Sequence, residues 1–566
     1  MLKAGGALLV APALPRGAAR APRQATSPFA WGVASFDPTH DGVLLWTRIE
    51  PTGRPAPLRW ELAADEGFTN LRAGGDTTAT EDADGCVTVE VTGLEPGRTW
   101  WYRFRDADGV ESPIGRTRTL PAGPVERLRV ASVSCARYAD GGFAVYRALA
   151  DREVDLVLHL GDYIYEDGGA GARAQDPPST LVRLEDYRRR YAQHREDPDL
   201  QALHARHPMV AVWDDHELAG NAWRDGAEAH DDAEHGPWRE RVAAAARARE
   251  EWLPGRTRRT AGDRLAPWRA VEIGELAEIL VLDARSHRDE PPTEDELAAV
   301  RAGGQDDRSI LGPEQEAWLL ERLRRPDRPP WVLLANQVVF HPMELSVPGL
   351  VADRIRAEGF VVVDGTALNP DQWDGYPAAR DRVVEAIGER GGVIVLTGDV
   401  HSSWAWEGPA RTDAGPAMIE LVTPAVSSTT LADRLPVPAG AVQAILGDID
   451  ELAYAELGEH GYLLVDLGPD DVQAEWWHVD RDDPGSQRFG AGRRADRIPP
   501  MTLTVAEEPL EDPAPAEGTP VHDDGRPPVP EGEAPGGDGI PLPVVGGGAA
   551  IAAAVAAALV AVRRRR

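Results

Sequence analysis

The stretch VLHLGDYIYEDGG, residues 157–169, decides the fold class of this chain. It begins as an apolar strand and runs directly into Gly161 and Asp162, with Tyr165 three residues later. A continuous apolar strand is typical of a sheet that is covered on both faces. A carboxylate at the end of such a strand is costly to bury unless a positive partner compensates it. The stretch therefore predicts an α/β sheet whose strand ends carry the chemistry.

Further apolar runs of the same kind alternate with helical stretches such as 143–151 and 314–325. Alternation of buried strands with helices predicts an α/β domain, to which we assign residues 126–505. The other runs are RLRVASVS (127–134), HPMVAVWDD (207–215), AEILVLDAR (277–285), PWVLLANQVV (330–339) and GVIVLTGDV (392–400).

Most of these runs end in polar side chains that can bind a metal ion. Ligands collect outside the carboxyl ends of the strands in open α/β sheets, and a cation compensates for buried carboxylates. Each residue alone has an ordinary explanation as a turn, a cap or a core position. The ordered set after successive strands predicts a metal site. Its residues are Cys135, Asp162, Tyr165, Asp214, Asp215, His216, Glu217, Asn336, Gln337, Asp399 and His401.

The bulk composition excludes several classes of protein. With 566 residues the chain is too long for one core, so we expect at least two domains. We also expect the protein to be a monomer. A formal net charge of −33 argues against nucleic acid or an anionic membrane as a partner of the folded part. The two cysteines, Cys86 and Cys135, exclude a disulfide scaffold. A single disulfide between them is the alternative to a metal-binding Cys135.

Residues 26–122 form a unit with strand patterns and turn residues but without a cluster of reactive side chains. The segment GLEPGRTWWYRFRDADG, residues 93–109, resembles the fibronectin type III pattern. We therefore predict a small β-sandwich of the fibronectin III or immunoglobulin type, which packs against the α/β domain or positions it. The expected fold is multidomain.

Both ends of the sequence resemble targeting segments. Residues 1–25 are typical of a signal-peptide remnant, and their start is similar to the end of a twin-arginine signal. Residues 506–543 are rich in Pro, Gly and acidic residues, which predicts a disordered linker. The uncharged run 544–562 is long enough for a transmembrane helix, and the arginines at 563–566 would stay in the cytoplasm. These features predict an extracytoplasmic protein anchored at the cell surface.

The C-terminal segment also allows attachment to a cell wall. Leu542, Pro543 and Gly546 fit the sorting signal Leu-Pro-x-Thr-Gly, but Val545 stands where the signal has Thr. Membrane and wall attachment therefore remain alternatives, and both place the folded part outside the cytoplasm.

Several motifs occur along the chain: FAWGVASFDPTHDGVLLWTRIEP, GDYIYE, WDDHE, ANQVVF, DQWDGY and GDVHSS. Together they resemble the alkaline phosphatase D (PhoD) family of metallophosphatases, relatives of the purple acid phosphatases. The resemblance covers residues 29–480. It implies an N-terminal β-sandwich followed by an αββα sandwich of two facing mixed sheets. It also implies a hydrolase of phosphoric esters that uses Fe(III) and Ca²⁺.

The resemblance further implies roles for individual residues. Asp162 would be shared by two metals, and Tyr165 would be a phenolate ligand of Fe(III), since phenolate prefers a hard ion of high charge. The oxygen ligands of the second metal suit Ca²⁺. Asn336 is expected among them, with Asp214 or Asn221 as alternatives. The implied metal ligands are Cys135, Asp162, Tyr165, Asp215, Asn336, Asp399 and His401.

The implied reaction is hydrolysis of phosphomonoesters, phosphodiesters or both by a metal-activated hydroxide. His216 would act as a general acid or, alternatively, hold Asp215 in place. Arg137 is a candidate for binding phosphate, and Asp371 and Asp374 are either further calcium ligands or part of a turn. Two other functions remain open: a phospholipase D-type phosphodiesterase, and a cell-surface binding protein that kept the fold without the activity.

Overall fold

The structure is a computed structural model that describes residues 27–169, 171–260, 264–346, 349, 352–357, 359–434 and 451–512. The predicted signal-peptide remnant (1–25), most of the predicted linker, the predicted transmembrane segment (544–562) and the arginine tail (563–566) lie outside these residues. No helix within the described ranges is both long enough and apolar enough to cross a membrane.

Strands and helices follow one another along the described chain in three stretches. The first contains β1 (Val33–Phe36), β2 (Gly42–Arg48), β3 (Ala56–Ala63), β4 (Leu71–Ala79), β5 (Cys86–Thr92), β6 (Thr99–Asp106), β7 (Gly115–Arg118), β8 (Leu128–Val133), α1 (Ala144–Ala150) and β9 (Leu156–Leu160). The second contains α2 (Leu184–Arg195), α3 (Pro198–Arg206), β10 (Met209–Val212), β11 (Ala222–Trp223), β12 (Gly226–Ala227), α4 (Asp232–His235), α5 (Trp238–Trp252), β13 (Arg258–Arg259), β14 (Leu265–Ala266), β15 (Arg269–Ile273), β16 (Ala277–Val281), α6 (Glu294–Arg301), α7 (Gly312–Arg324) and β17 (Trp331–Ala335). The third contains β18 (Leu345–Ser346), α8 (Ala352–Ala357), β19 (Val361–Val363), β20 (Thr366–Leu368), α9 (Pro377–Ile387), β21 (Val393–Thr397), β22 (Ser403–Glu407), β23 (Arg411–Thr412), β24 (Gly415–Pro416), β25 (Met418–Val422), α10 (Leu431–Arg434), β26 (Leu452–Glu456), β27 (Gly461–Leu467), β28 (Asp471–Asp480), β29 (Asp483–Asp496) and β30 (Thr504–Ala506).

Two large mixed sheets carry the fold. The first has the strand order β30-β29-β28-β27-β8-β9-β10-β1-β2-β5, and the second has the order β15-β16-β17-β21-β25-β22-β26. Strands β8, β9, β10 and β1 are parallel in the first sheet. Strands β16, β17, β21 and β25 are parallel in the second. Because parallel neighbours end on the same side, the loops that follow them meet at one edge of each sheet.

The two sheets face each other across an apolar core. Val130, Leu158 and Val210 of the first sheet pack in one cluster with Ile279 and Leu333 of the second. Alternate residues of the same strands point outwards, onto α1, α2, α3 and α5 on one side and onto α7 and α9 on the other. The order of layers is therefore αββα, as the family resemblance implied. Burial on both faces explains the continuous apolar runs in the sequence.

The N-terminal strands form two layers, but one of these layers is shared with the α/β part. Strands β4, β3, β6 and β7 make a four-stranded sheet. This sheet packs on β1, β2 and β5 through a core that includes Leu45, Leu62 and Trp100. However, β1 pairs in parallel with β10, so β1, β2 and β5 continue the first large sheet. The predicted sandwich in 26–122 is thus two-layered but not structurally separate.

Local sequence signals explain where several helices begin. The Thr293 hydroxyl accepts the N–H of Glu296, and the Glu296 carboxylate accepts the N–H of Thr293 at 2.8 Å, which is a capping box before α6. Asp197 accepts the N–H of Asp199 at the start of α3, where Pro198 occupies the first helical position.

A buried glutamate joins two of the strand-end loops in the first sheet. Glu217 accepts hydrogen bonds from the backbone N–H groups of Asp162 at 3.0 Å, Tyr163 at 2.7 Å and Asp214 at 2.8 Å. These contacts tie the loop after β9 to the loop after β10. The carboxylate satisfies three buried backbone donors that would otherwise lack partners.

A second buried glutamate joins a strand-end loop to neighbouring strands in the second sheet. Glu420 in β25 accepts the N–H groups of Phe340 at 2.8 Å and His341 at 2.7 Å. It also accepts the hydroxyl of Thr397, the last residue of β21, at 2.7 Å. The loop after β17 is therefore fixed to the neighbouring strands.

The folded part extends past the predicted boundary at residue 505. The carboxylate of Asp512 lies 2.7 Å from Arg129 and 2.8 Å from Arg152. Arg129 is the second residue of β8, at the end of that strand opposite to the strand-end loops. The first residues of the predicted linker are therefore held at the end of the first sheet that lies opposite to the strand-end loops.

We predict that Glu420→Gln reduces the pH dependence of the free energy of unfolding. Burial raises the pKa of Glu420 from 4.5 to about 7, although its hydrogen bonds partly oppose the shift. Because the folded-state pKa is the higher one, this contribution to stability is fully present below the unfolded pKa and is lost as the pH rises through the folded pKa. The loss should be about 3 kcal/mol between about pH 5 and about pH 8.

Urea unfolding of both proteins across this pH range is the measurement. Gln keeps the shape of the side chain. A difference in the free energy of unfolding that does not change with pH therefore reports only the altered hydrogen bonds. The native protein should show the steeper fall with pH. Parallel curves would contradict the assignment.

Candidate metal centre

The strand-end loops bring together residues from both sheets, and four of them have an unusual backbone. The φ angles are +61° at Cys135, +57° at Asp162, +65° at Asp399 and +51° at His401. Residues other than glycine rarely adopt this left-handed conformation, and such strain concentrates at functional sites. The chain turns sharply at these positions, directly after β8, β9 and β21.

Three groups of acidic, thiol and imidazole side chains among the described residues could each hold one metal ion. Within each group the ligand atoms lie within 4.8 Å of one another. Asp162 belongs to the first and second groups, and Asp215 belongs to the second and third. The donors therefore form one continuous site. The groups are Cys135, Asp162 and His401; Asp162, Asp215 and His216; and Asp214, Asp215 and Asp399.

Tyr165 joins the first group. Its hydroxyl donates to Asp162 Oδ2 at 2.8 Å and lies 3.2 Å from Nε2 of His401. The hydroxyl of Ser428 donates to the phenol oxygen at 2.8 Å. Nδ1 of His401 donates to the carbonyl of Thr429 at 2.8 Å, which leaves Nε2 as the nitrogen available to a metal.

Burial disfavours the charged forms of the thiol, phenol and carboxyl donors of the first group in the absence of a cation. Burial, with nearby acidic groups, raises the pKa of the Cys135 thiol and the Tyr165 phenol well above their ordinary values. Burial raises the pKa of Asp162 in the same way. A bound cation reverses this preference because it stabilises the thiolate, phenolate and carboxylate forms. Thiolate and imidazole in the donor set suit a transition metal.

Arg190 of α2 holds the loop that carries Tyr165. Its buried guanidinium donates to the carbonyl oxygens of Tyr165, Asp167 and Pro177. Burial lowers the pKa of Arg190 to about 10. Because one guanidinium has five donors, it can satisfy several carbonyls at once. Arg190 therefore fixes the backbone beside the phenol.

His216 of the second group is held by a carboxylate. Its Nδ1 lies 2.6 Å from Glu166 Oε2, and its ring packs on the ring of Tyr165 with centroids 4.2 Å apart. The other oxygen of Glu166 accepts the N–H of Gly220 at 2.6 Å. Burial opposes protonation of His216, but the charges of Asp215 and Glu166 outweigh it and raise its pKa well above the ordinary value.

The third group consists of carboxylates around one guanidinium. Arg285 contacts Asp214, lies 2.9 Å from Asp399 and lies 3.4 Å from Asp215. Burial raises the pKa of Asp214 and of Asp399. For Asp215 burial is outweighed, mainly by Arg285, so the pKa of this carboxyl is lowered. A donor set of oxygens alone suits Ca²⁺.

Unsatisfied oxygen atoms show that these donors fit cations. Oδ1 of Asp162, Oδ2 of Asp214 and Oδ1 of Asp215 are buried without a hydrogen-bond partner in the part of the chain that the structure describes. A buried carboxylate oxygen without a partner is costly. Metal ions at the three groups would remove that cost.

The side chains of Asn336 and Asn221, which were considered as ligands of the second metal, have hydrogen-bond partners outside the three groups. The amide nitrogen of Asn336 donates to a backbone carbonyl, and its Oδ1 lies 3.4 Å from Nε1 of Trp373. The side chain of Asn221 donates to Glu228 at 2.6 Å. Asp214, by contrast, belongs to the third group. Asp214 therefore lies close enough to Asp215 and Asp399 to share a cation with them.

Arg137 does not present a free charge to a substrate. Its guanidinium pairs with Asp140 and, at 2.8 Å, with Asp167. Asp140 also accepts the N–H and hydroxyl of Thr429, both at 2.8 Å. Arg137 thus clamps the loops after β8 and β9 together, which differs from the phosphate-binding role considered for it.

The two aspartates of the motif NPDQWDGY have different partners. Asp374 is buried, pairs with Arg380 at 2.8 Å and belongs to none of the three groups. Asp371 pairs with Arg285 at 2.6 Å and also with Arg288. Both oxygens of Asp371 are therefore occupied by guanidinium groups, so it supports Arg285.

The alternative disulfide is wrong. Cys86 and Cys135 are both free and buried. Cys86 lies in β5 at the edge of the first sheet, whereas Cys135 follows β8 near the middle of that sheet. The thiol of Cys135 remains available to a metal ion.

Sequence reasoning missed three residues that contact the site. Arg285 comes four residues after β16, so the strand-end signal that found Asp162 was present for it too. Glu166 follows Tyr165 directly. Gln372 donates to Asp399 Oδ2 at 3.0 Å from a loop, where no strand-end signal exists.

Comparisons with known proteins agree on one family. The family profile described as PhoD-like phosphatase matches residues 130–476, more than half of the chain, and that of its N-terminal domain matches residues 15–121. Alkaline phosphatase D of Bacillus subtilis (strain 168) is 36% identical over 409 residues, which are 68% of this chain and 66% of that protein. The match thus spans just under two thirds of the relative. A solved structure of PhoD has a TM-score of 0.75 and 31% identity, and covers 87% of this chain and 94% of its own.

We predict that Cys135→Ala weakens metal binding at the first group by on the order of 100-fold or more, because it removes a direct donor. Cys86→Ala is the matched control, since Cys86 is also a buried free cysteine but lies outside the three groups. Metal content after equilibration with iron and dialysis is the measurement. Equal iron retention by the two variants would show that Cys135 holds no metal.

Proposed function

The chain belongs to the PhoD-like phosphatase family, and from that premise we propose that it is a metal-dependent hydrolase of phosphomonoesters, phosphodiesters or both. One observation carries the proposal: the three groups of donors are continuous, because Asp162 and Asp215 are each shared by two groups. Neighbouring cations that share carboxylates can clamp one phosphate group and an attacking oxygen between them.

We propose that the first group takes Fe(III) and the oxygen-rich groups take Ca²⁺. When bound, such ions neutralise the charge of a phosphate and lower the pKa of water. Phenolate favours the hard ferric ion, and carboxylates favour Ca²⁺. The residues that would hold iron are Cys135, Asp162, Tyr165 and His401. The residues that would hold calcium are Asp162, Asp215 and Asp399, with Asp214 or Asn336.

His216 is the proposed general acid. Its side chain is 27% exposed and that of Asp399 is 19% exposed, whereas the other members of the three groups are buried. An ester would therefore approach from the side of His216 and Asp399. Asp215 and Glu166 favour the protonated ring by raising the pKa of His216, and a protonated imidazole can give its proton to the leaving oxygen. Glu166 orients the ring through Nδ1.

The proposed location is extracytoplasmic, with the enzyme anchored to the membrane or the cell wall. This proposal rests on the segments 1–25 and 544–566, which lie outside the described residues. The position of Asp512 supports it, because its ion pairs with Arg129 and Arg152 place it at the end of the first sheet opposite to the site. An anchor beyond this point would leave the site open. We propose a monomer with an N-terminal unit at 26–122 and a catalytic unit that was predicted as 126–505 and extends to Asp512.

Turnover of three esters tests the proposed function: p-nitrophenyl phosphate, bis(p-nitrophenyl) phosphate and phosphatidylcholine. We expect hydrolysis of one or both nitrophenyl esters with iron and calcium supplied. Asp162→Asn should lower kcat/KM by on the order of 100- to 1000-fold, because it removes the shared carboxylate that places two cations. Cys86→Ala should keep the native rate.

Each other outcome selects an alternative. Metal binding without hydrolysis of any ester indicates the cell-surface binding protein. Hydrolysis of phosphatidylcholine alone indicates the phospholipase D-type phosphodiesterase. Native activity in Asp162→Asn would contradict the proposed site.

We predict that Glu166→Gln lowers kcat by about 10- to 100-fold and leaves KM within about twofold, since it disturbs the orientation and charge of His216 but not the residues proposed to hold iron or calcium. Asp232→Asn is the matched control, because Asp232 also contacts a histidine, His230, at 2.9 Å but lies outside the three groups. Steady-state kinetics with both variants is the measurement. A change confined to KM would assign Glu166 to substrate binding instead.

A further inference from the structure

Arg285 is a cation that the protein itself places among the carboxylates of the third group. It follows β16 in the second sheet. Its side chain is 0% exposed, so no substrate can reach it. A buried charge of this kind acts through the side chains that surround it.

The three nitrogens of the Arg285 guanidinium face four carboxylates. Nε contacts Asp214 Oδ1, and Nη1 lies 2.6 Å from Asp371 Oδ2. Nη2 lies 2.9 Å from Asp399 Oδ1 and 3.4 Å from Asp215 Oδ1. The planar fork of a guanidinium fixes the directions of its partners as well as their charge.

These contacts cross from one sheet to the other. Asp214 and Asp215 follow β10 of the first sheet, and Asp399 follows β21 of the second. Arg285 therefore holds together donors whose strands share no hydrogen bonds. The distances among Asp214, Asp215 and Asp399 decide whether one cation can contact all three carboxylates.

Arg285 is itself held in place. Asp371 accepts a hydrogen bond from Arg285 with one carboxylate oxygen and from Arg288 with the other. Arg288 is also fully buried and donates to the carbonyls of Ala222 at 2.9 Å and Asp371 at 2.6 Å. The guanidinium of Arg285 thus has a fixed position from which it can orient the donors.

The charges around Arg285 leave room for one divalent cation. With all four carboxyls ionised, as they would be beside a bound cation, Asp214, Asp215, Asp371 and Asp399 face the two guanidinium groups of Arg285 and Arg288, which leaves two negative charges. One oxygen each of Asp214 and Asp215 is buried without a hydrogen-bond partner among the described residues. Two roles of Arg285 are compatible with this count: neutralising charge, and holding the donors in place.

We propose that Arg285 is a positioning residue that sets the affinity of the third group for Ca²⁺ by holding Asp214, Asp215 and Asp399 at the spacing of one cation. The inference rests on the proposed function only in that this group takes Ca²⁺. The two roles predict opposite effects on affinity. Loss of a neutralising charge strengthens the binding of a cation, whereas loss of orientation weakens it.

Calcium titration calorimetry on the full chain, without any phosphate ester, tests the proposal. Arg285→Lys keeps the charge but loses the fork, and Arg285→Gln loses both. We expect both variants to bind Ca²⁺ about 10- to 100-fold more weakly than the native protein, the usual cost of losing a partner that orients metal ligands. Arg129→Lys is the matched control, because Arg129 is a buried arginine with two carboxylate partners at the far edge of the sheet.

The outcomes separate the two proposals. Native affinity in Arg285→Lys with tighter binding in Arg285→Gln would overturn the positioning role and leave the proposed function intact. Absence of Ca²⁺ binding in the native protein would overturn both. Arg288→Lys provides a milder variant in case the Arg285 variants do not fold. It keeps the charge but loosens Asp371, so it should weaken binding in the same direction, and native affinity there would count against the proposal.

Discussion

One electrostatic constraint governs this molecule: several carboxylates converge at a point where only positive charge can compensate for their burial. Asp162, Asp214 and Asp215 are 1%, 0% and 3% exposed, and each has an oxygen without a hydrogen-bond partner in the described ranges. Buried charges of one sign are tolerated only with opposite charge nearby. Arg285 supplies one such charge from the protein, and metal ions would supply the others. The same cost that destabilises the empty cluster therefore favours the binding of cations.

The strain at the strand ends persists because the surrounding structure holds each loop from behind. Glu217 takes three backbone N–H groups in the first sheet, and Glu420 takes two in the second. Arg190 takes the carbonyls beside Tyr165. These contacts satisfy backbone groups that tight loops leave without partners. Left-handed residues such as Cys135 remain in place because their neighbours are fixed.

The site depends on both sheets at once. The first group takes donors from the loops after β8, β9 and β21, and the third takes them from the loops after β10 and β21. Neither sheet alone carries the first or the third group, whereas the second comes from the loops after β9 and β10 of the first sheet. The apolar core between the sheets therefore determines the distances between donors as well as the stability of the fold. The N-terminal strands contribute by extending the first sheet beyond β10.

The sequence by itself determined the strand ends and the types of donor, because an apolar run followed by Asp, Cys or His is a local pattern. The family resemblance added the αββα arrangement. Only the tertiary structure decided that Asp214 lies beside Asp215 and Asp399, that Arg137 is occupied by ion pairs, and that Cys86 and Cys135 stay apart. It also revealed that Arg285 bridges the two sheets. These outcomes depend on distances between residues far apart in the chain and on competition among charges for partners, which no local pattern encodes.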